Sequence, residues 1–285
     1  MKKILFTLAA TLTSIWAMSQ FYVCKNGAVV YKIDDGIADS ITFAKPSFSE
    51  EIVDVYYDGV ENGHYYVDLG LTSGTKWATC NVGASKPEKY GDYYAWGETS
   101  TKVTYSWRTY KYGSGDHELI KYCSRSDCGK DGFTDSKTTL DLSDDAAYVN
   151  WGGAWRMPTK AQQDELLGEC YWVWTENYNN SKVKGCIVYK AKNSSDKGVK
   201  IYYEGTPSSS YKLSDAHIFL PAAGERYGGG LDGGVGADGR YLSSSIYVGY
   251  PGLVWIVQCN SDYMDSNYGG NRDSGLSVRA VIPGE

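Results

Sequence analysis

The chain has 285 residues, a formal charge of −6 and 22% charged residues. An acidic balance with no basic stripe excludes a nucleic-acid partner held through phosphate contacts. Tyr (26), Trp (9) and Gly (33) are abundant while Phe is scarce (6), so most aromatic side chains carry a polar handle suited to half-buried and exposed positions.

Residues 1–19 read as a secretory signal peptide. Lys2 and Lys3 precede an apolar run that starts at Ile4, and Ala17 and Ser19 stand at the spacing signal peptidase reads. The run is short for a bilayer span, and no later run approaches that length, so no transmembrane segment is expected. The chain is therefore expected to be exported and to work outside the cell, at the cell surface or in the periplasm. Loss of the signal removes two lysines and leaves a charge of about −8.

Residues 20–46 read as a small β-hairpin unit. "FYVCKNGAVVYKI" sets Asn26-Gly27 between two strand-like runs, and "DSITF" (39–43) follows as a third strand. Residues 47–62, with their acidic "SEE", read as a linker. The main domain spans 63–285 and opens with strands in "HYYVDLGL" (64–71) and "TKWATCNVG" (75–83). From 85 to 137 periodicity is lost, as in a long functional loop or one held by its own side chains.

"LSDDAAYVNWG" (142–152) predicts a short helix capped by Ser143. Asp144 and Asp145 then fall in its first turn, where the helix dipole favours negative charge. No acidic loop has a regular calcium-ligand spacing, so calcium is unsupported, though an acidic pair leaves it open. In "NWGGAWRMPTKAQQDELL" (150–167) Thr159 and Gln162 form a capping box for a helix over 159–170. Leu166, Leu167 and Cys170 are its buried stripe, with Ala161 on the flank. Residues 171–175 alternate, with Tyr171, Val173 and Thr175 on one face and Trp172 and Trp174 on the other. Further strands follow in 186–192, 198–205, 217–221, 253–259 and 276–282.

The seven cysteines are an odd number, so at least one stays free or pairs outside the chain. Cys123 and Cys128 are the best local disulfide candidate. No second cysteine pair or histidine pair accompanies them, so zinc is not expected.

The series "VDLGLTSGTKWATCNVGA", "YGDYYAWGE", "DDAAYVNWGGAWRMPTKAQQDELL", "IFLPAAGERYG", "YLSSSIY" and "SGLSVRAVI" resembles the Fibrobacter succinogenes major paralogous domain family. The resemblance covers roughly residues 64–283. It implies an α+β, C-type-lectin-like fold related to formylglycine-generating (sulfatase-modifying) proteins, with the helix at 159–170 the longest and the strands near 65–71 and 276–282 adjacent in one sheet. The family usually has an aromatic where Gln163 stands, which implies a less firmly docked helix. On this reading the entrance to the helix is architecture. Trp151 and Trp155 wedge it against a sheet, Gly152 and Gly153 allow close approach, Arg156 holds carbonyls or a carboxylate, and Thr159 caps.

Formylglycine-generating relatives use a cysteine pair near the C-terminus to bind copper. Here Cys259 stands in an apolar strand without a neighbouring partner, as an inert small hydrophobe. Other oxidases of that fold use several histidines, whereas His64, His117 and His217 are scattered. Ser243–Ser245 lacks a nucleophile elbow, and the glycine-rich 224–239 lacks a phosphate-binding context. No catalytic residue, metal ligand or cofactor is therefore assigned. Tyr, Ser, Gly and Asn make up 19 of the 35 residues from 241 to 275, a paratope-like mixture. Two such segments, 246–251 and 261–272, flank the core strand 253–259. Tyr247, Tyr250, Tyr263, Asn267, Tyr268, Asn271 and Arg272 are the candidate contacts for a protein or glycan ligand at the cell surface. The alternatives are a structural or assembly subunit using the N-terminal hairpin and, less favoured, a formylglycine-generating-type oxidase relative.

Overall fold

A computed structural model describes residues 21–25, 28–33 and 56–284. The expected signal peptide, the Asn26-Gly27 turn and the strand at 39–43 lie outside them. The chain divides into two units, Met1–Glu51 and Ile52–Glu285. In the first, β1 (Phe21–Lys25) pairs antiparallel with β2 (Ala28–Ile33), Phe21 opposite Ile33 and Lys25 opposite Ala28.

The second unit begins with β3 (Gly59–Glu61), β4 (His64–Val67), β5 (Lys76–Ala78) and β6 (Tyr93–Tyr94), then an irregular stretch to α1 (Ala146–Trp151) and α2 (Lys160–Glu169). There follow β7 (Cys170–Thr175), β8 (Gly185–Lys190), β9 (Lys200–Ile201), β10 (His217–Pro221), β11 (Glu225–Tyr227) and β12 (Gly230–Asp232). The chain ends with β13 (Gly239–Ile246), β14 (Leu253–Cys259), β15 (Met264–Asn271), β16 (Leu276–Ser277) and β17 (Val281–Ile282). These form a five-stranded sheet β15-β14-β13-β16-β6, two four-stranded sheets β10-β8-β7-β9 and β17-β5-β4-β3, and the ribbon β11-β12.

The expected α+β, C-type-lectin-like class is overturned. Strands dominate, and α1 and α2, of 6 and 10 residues, are the only α-helices among the described residues. α2 is the longest helix, as expected. The chain ends are not adjacent, because β5 lies between β4 and β17 in one sheet, and β16 belongs to another. The end of the expected linker is also structured: Gly59–Glu61 is the edge strand paired to β4.

Alternation in β7 works as read. Trp172 and Trp174 enter one buried cluster with Leu166, Val188 and Leu220; Tyr171 and Val173 enter another with Ile187, Tyr211 and Phe219. That sheet is therefore covered on both faces, which suits its run of large side chains. A third cluster lies against the five-stranded sheet and holds Trp96, Trp155, Tyr94, Tyr105 and Leu276.

The capping box forms as expected, with the Gln162 amide donating to Thr159 Oγ1 and the Thr159 amide to Gln162 Oε1. Three local expectations change. Asp145, not Ser143, caps α1, accepting from the Tyr148 amide at 3.0 Å. Ala161 is exposed. Gln163 does not loosen α2: it is buried and donates through Nε2 to the Tyr241 carbonyl at 3.0 Å, tying the helix to β13.

Candidate ligand-binding surface

The helix entrance is a wedge. Gly152 and Gly153 have φ of 68° and 56°, and a Cβ on Gly153 would sit 2.4 Å from Glu61 Oε1. Only glycine meets both demands. This close approach lets the Ala154 amide donate to Glu61 Oε1 and Trp155 Nε1 to the Glu61 carbonyl. Trp155 is fully buried, edge-on to Trp151, and Trp151 stacks on His64 at 3.9 Å between ring centroids. Arg156 donates to the Gly153 and Trp155 carbonyls and lies over the Tyr148 ring. Trp151 and Trp155 are packed on each other, Arg156 is held on backbone carbonyls, and Thr159 caps α2.

The Tyr-rich segment is a meander rather than two loops on one edge. The turn 247–252 joins β13 to β14, closed by the Tyr247 amide donating to the Leu253 carbonyl and the Leu253 amide to the Tyr250 carbonyl, and 260–263 joins β14 to β15 at the far end. β14 has seven residues, so the two turns are roughly 20 Å apart. Tyr263 sits at the far turn, half-buried, its amide bonded to Asn260 Oδ1. The seven candidates therefore do not form one patch. Because β15 runs back along β14, however, Tyr268 and Asn271 return toward the 247–252 turn, with Asn271 opposite Leu253.

Arg272 is also misassigned as a contact. It is fully buried, and its guanidinium donates to Tyr110 Oη at 2.8 Å and to the Pro251 carbonyl at 2.8 Å while lying over the Trp96 ring. Its planar fork pins the turn to the preceding loop. Tyr247 is half-buried and packs on Trp255, Lys160 lies over that indole, and Lys160 Nζ donates to the Oδ1 of Asn267, which is exposed.

The irregular stretch supplies the other side of the surface. Ser124 Oγ donates to the Val248 carbonyl, Arg125 to the Gly249 carbonyl, and the Arg125 guanidinium lies 5.6 Å from the Tyr250 ring centre. Asp144 organises this stretch from beneath. It is buried and accepts from the Tyr112 and Tyr122 hydroxyls and from Lys121. Burial pushes its carboxyl pKa up, but Lys121 and the two tyrosines outweigh that and hold it down at about 2. The sequence missed this role, because the three donors lie 22 to 32 residues away.

Cys123 and Cys128 are not bridged. Both are free, and the Cys123 thiol donates to the Arg125 carbonyl at 3.0 Å. Their thiols fill a small apolar cluster with Leu119, which suits buried cysteine.

A notch of about 90 Å³ opens where these parts meet, lined by Trp107, His117, Cys128, Tyr250, Leu253 and Asn271. A ligand pocket for a whole small molecule is typically about 300–1,000 Å³, so this notch accepts one ring or short side chain of something larger. Burial raises the Cys128 pKa, and His117 Nδ1 bonds the Asp127 carbonyl. A larger cleft of about 390 Å³ lies over β7 and β8, but its tyrosine faces are consumed in stacks, Tyr171 on Tyr211 and Tyr178 on Phe219.

Among the described residues no group of three or more His, Cys, Asp and Glu side chains is arranged to hold a metal ion, and no helix is long and apolar enough to cross a membrane. No family model, curated protein or solved structure matches the chain.

Proposed function

We propose that this is an exported, non-catalytic recognition module whose ligand, a protein or glycan at the cell surface, places one ring or short side chain in the notch beside Tyr250 and Asn271. One observation carries the reading. Tyr250 is 65% exposed, the most exposed tyrosine among the described residues, yet its turn is fixed by buried Arg272 and by Ser124 and Arg125. An exposed aromatic on an immobilised backbone loses little entropy on contact, as aromatic anchors at interfaces require. Asn271 is exposed on the adjoining strand and adds an adaptable amide; Tyr268, 44% exposed, extends the surface. The test is a glycan and protein array probed with the mature protein, with and without calcium, beside Tyr250→Ala/Asn271→Ala. Signals common to both proteins would discard the notch as the contact.

A second reading, an assembly subunit, is favoured by the N-terminal hairpin. Among the described residues β1 and β2 form a two-stranded ribbon, and such a ribbon can take a further strand at an edge. Size measurement of the mature chain with and without residues 20–46 tests it: assemblies that persist without the hairpin exclude that role.

A further inference from the structure

We propose, on the recognition reading above, that the notch takes the ammonium end of a lysine side chain, which makes the ligand a protein. Asp116, His117 and Asn271 stand in its wall, and no lysine or arginine lines it. The Glu118 amide donates to the Gly115 carbonyl at 3.1 Å, so Asp116 and His117 occupy the corners of a turn. Gly252 lets that turn close on the turn of Tyr250: a Cβ there would lie 2.8 Å from Asp116 Cβ.

The wall is negative. Among the described residues the exposed Asp116 carboxylate has no hydrogen bond or ion pair. Asp127 differs, because both its oxygens accept from the Arg125 guanidinium and the two charges cancel. Asp116 is left as the net charge of the notch. The wall also offers acceptors. His117 is fixed by Nδ1 on the Asp127 carbonyl at 2.7 Å; a carbonyl only accepts, so Nδ1 holds the hydrogen and Nε2 of the neutral ring is an acceptor. Asn271 adds its Oδ1.

Trp107 and Tyr250 complete the wall. Trp107 is half-buried and edge-on to Tyr110, which fixes the indole. Tyr250 already has the Arg125 cation against its ring, and its 65% exposure leaves the rest of the ring open. A cation over the face of Trp or Tyr is attracted by the ring quadrupole. An ammonium carries three donors and no acceptor, which matches a carboxylate, an imidazole nitrogen and an amide oxygen. A neutral sugar gains nothing from the charge of this wall. The volume of about 90 Å³ suits a compact ammonium better than the broad guanidinium fork. The formal charge of −6 on the whole chain favours a basic partner at longer range.

The test titrates the full mature chain with Nα-acetyl-lysine methylamide at fixed ionic strength. The readout is the indole N–H resonance of Trp107, assigned by its loss in Trp107→Phe. Nα-acetyl-norleucine methylamide, which lacks the charge, and simple methyl glycosides run beside it. We expect a saturating shift at millimolar lysine probe and none with the norleucine probe. Asp116→Asn, an exposed substitution, should keep the melting midpoint and weaken the lysine response about threefold. No shift with the lysine probe, an equal shift with the norleucine probe, or an unchanged response in folded Asp116→Asn overturns the assignment. A glycoside that shifts Trp107 where lysine does not overturns it as well, yet keeps the notch as a recognition site. Silence from every probe, with array signals that survive Tyr250→Ala/Asn271→Ala, discards both.

Discussion

Residue roles split by how local their partners are. Thr159, Trp155 and Arg156 were legible because a capping box, a tryptophan beside a glycine pair and a forked cation each have a local meaning. Arg272 was not, because it looks like any arginine in a polar segment until Tyr110 and Pro251 close around it. Trp155→Ala removes a fully buried indole and its hydrogen bond to the Glu61 carbonyl, so urea unfolding should show a loss of about 3–5 kcal/mol. A loss under about 1 kcal/mol would mean that the wedge is not needed. Histidine gives a pH test. His217 is buried with Nδ1 on the Asp215 carbonyl and Nε2 on Tyr178 Oη, and burial lowers its pKa below 6.5; burial also lowers that of His64. The unfolded chain then binds more protons than the native chain, so stability is full above pH 6.5 and falls as the pH drops from 6.5 toward the folded pKa. Melting midpoints across that range should decline, and His217→Gln should decline less. Equal slopes would show that His217 titrates normally.

At the scale of elements, β7 was legible from alternation, whereas β15 was not. "MDSNYGGN" has no β-branched residue and reads as a turn by composition. Tertiary pairing overrides this. The hypothetical Cβ of Gly269 lies 3.1 Å from Leu253, and that of Gly270 lies 2.9 Å from Ile256, so the glycines let a polar strand fold flat along β14. The consequence divides the candidate contacts. Tyr250 and Asn271 share the notch, while Tyr263 is at the opposite end of β14. Tyr250→Ala/Asn271→Ala should weaken ligand binding by about 2 kcal/mol or more, with a melting temperature within a few degrees of wild type. Tyr263→Ala should leave binding unchanged. Titration of both variants against any ligand found on the array checks this, and a loss confined to Tyr263→Ala would move the surface to the far turn.

For the whole molecule, the residues themselves spoke for two short helices among many strands, and the α+β expectation came with the family resemblance rather than from periodicity. The contacts that build the architecture are long-range: Arg279 donates to Asn81 Oδ1 across 198 residues, which spacing cannot reveal. The domain boundary is where this matters for experiment. Sequence set it at 63, just after a supposed linker. The structure places Glu61 in an edge strand, with its carbonyl accepting from Trp155 and its carboxylate from the Ala154 amide, and Asn62 donating to the Trp151 carbonyl. A chain starting at 63 therefore loses β3 and uncovers three partners of the buried wedge, each an unmet donor or acceptor costing about 1–3 kcal/mol if water does not replace it. A chain starting at Ile52 keeps them all. Thermal melts of the two truncations should separate them: the Ile52 form should match the full mature chain within a few degrees and unfold in one transition, and the Gly63 form should melt well below it. Should the Gly63 form melt with the other two, the β3 edge contributes nothing, and the wedge must be held by Trp151, His64 and the glycine pair alone.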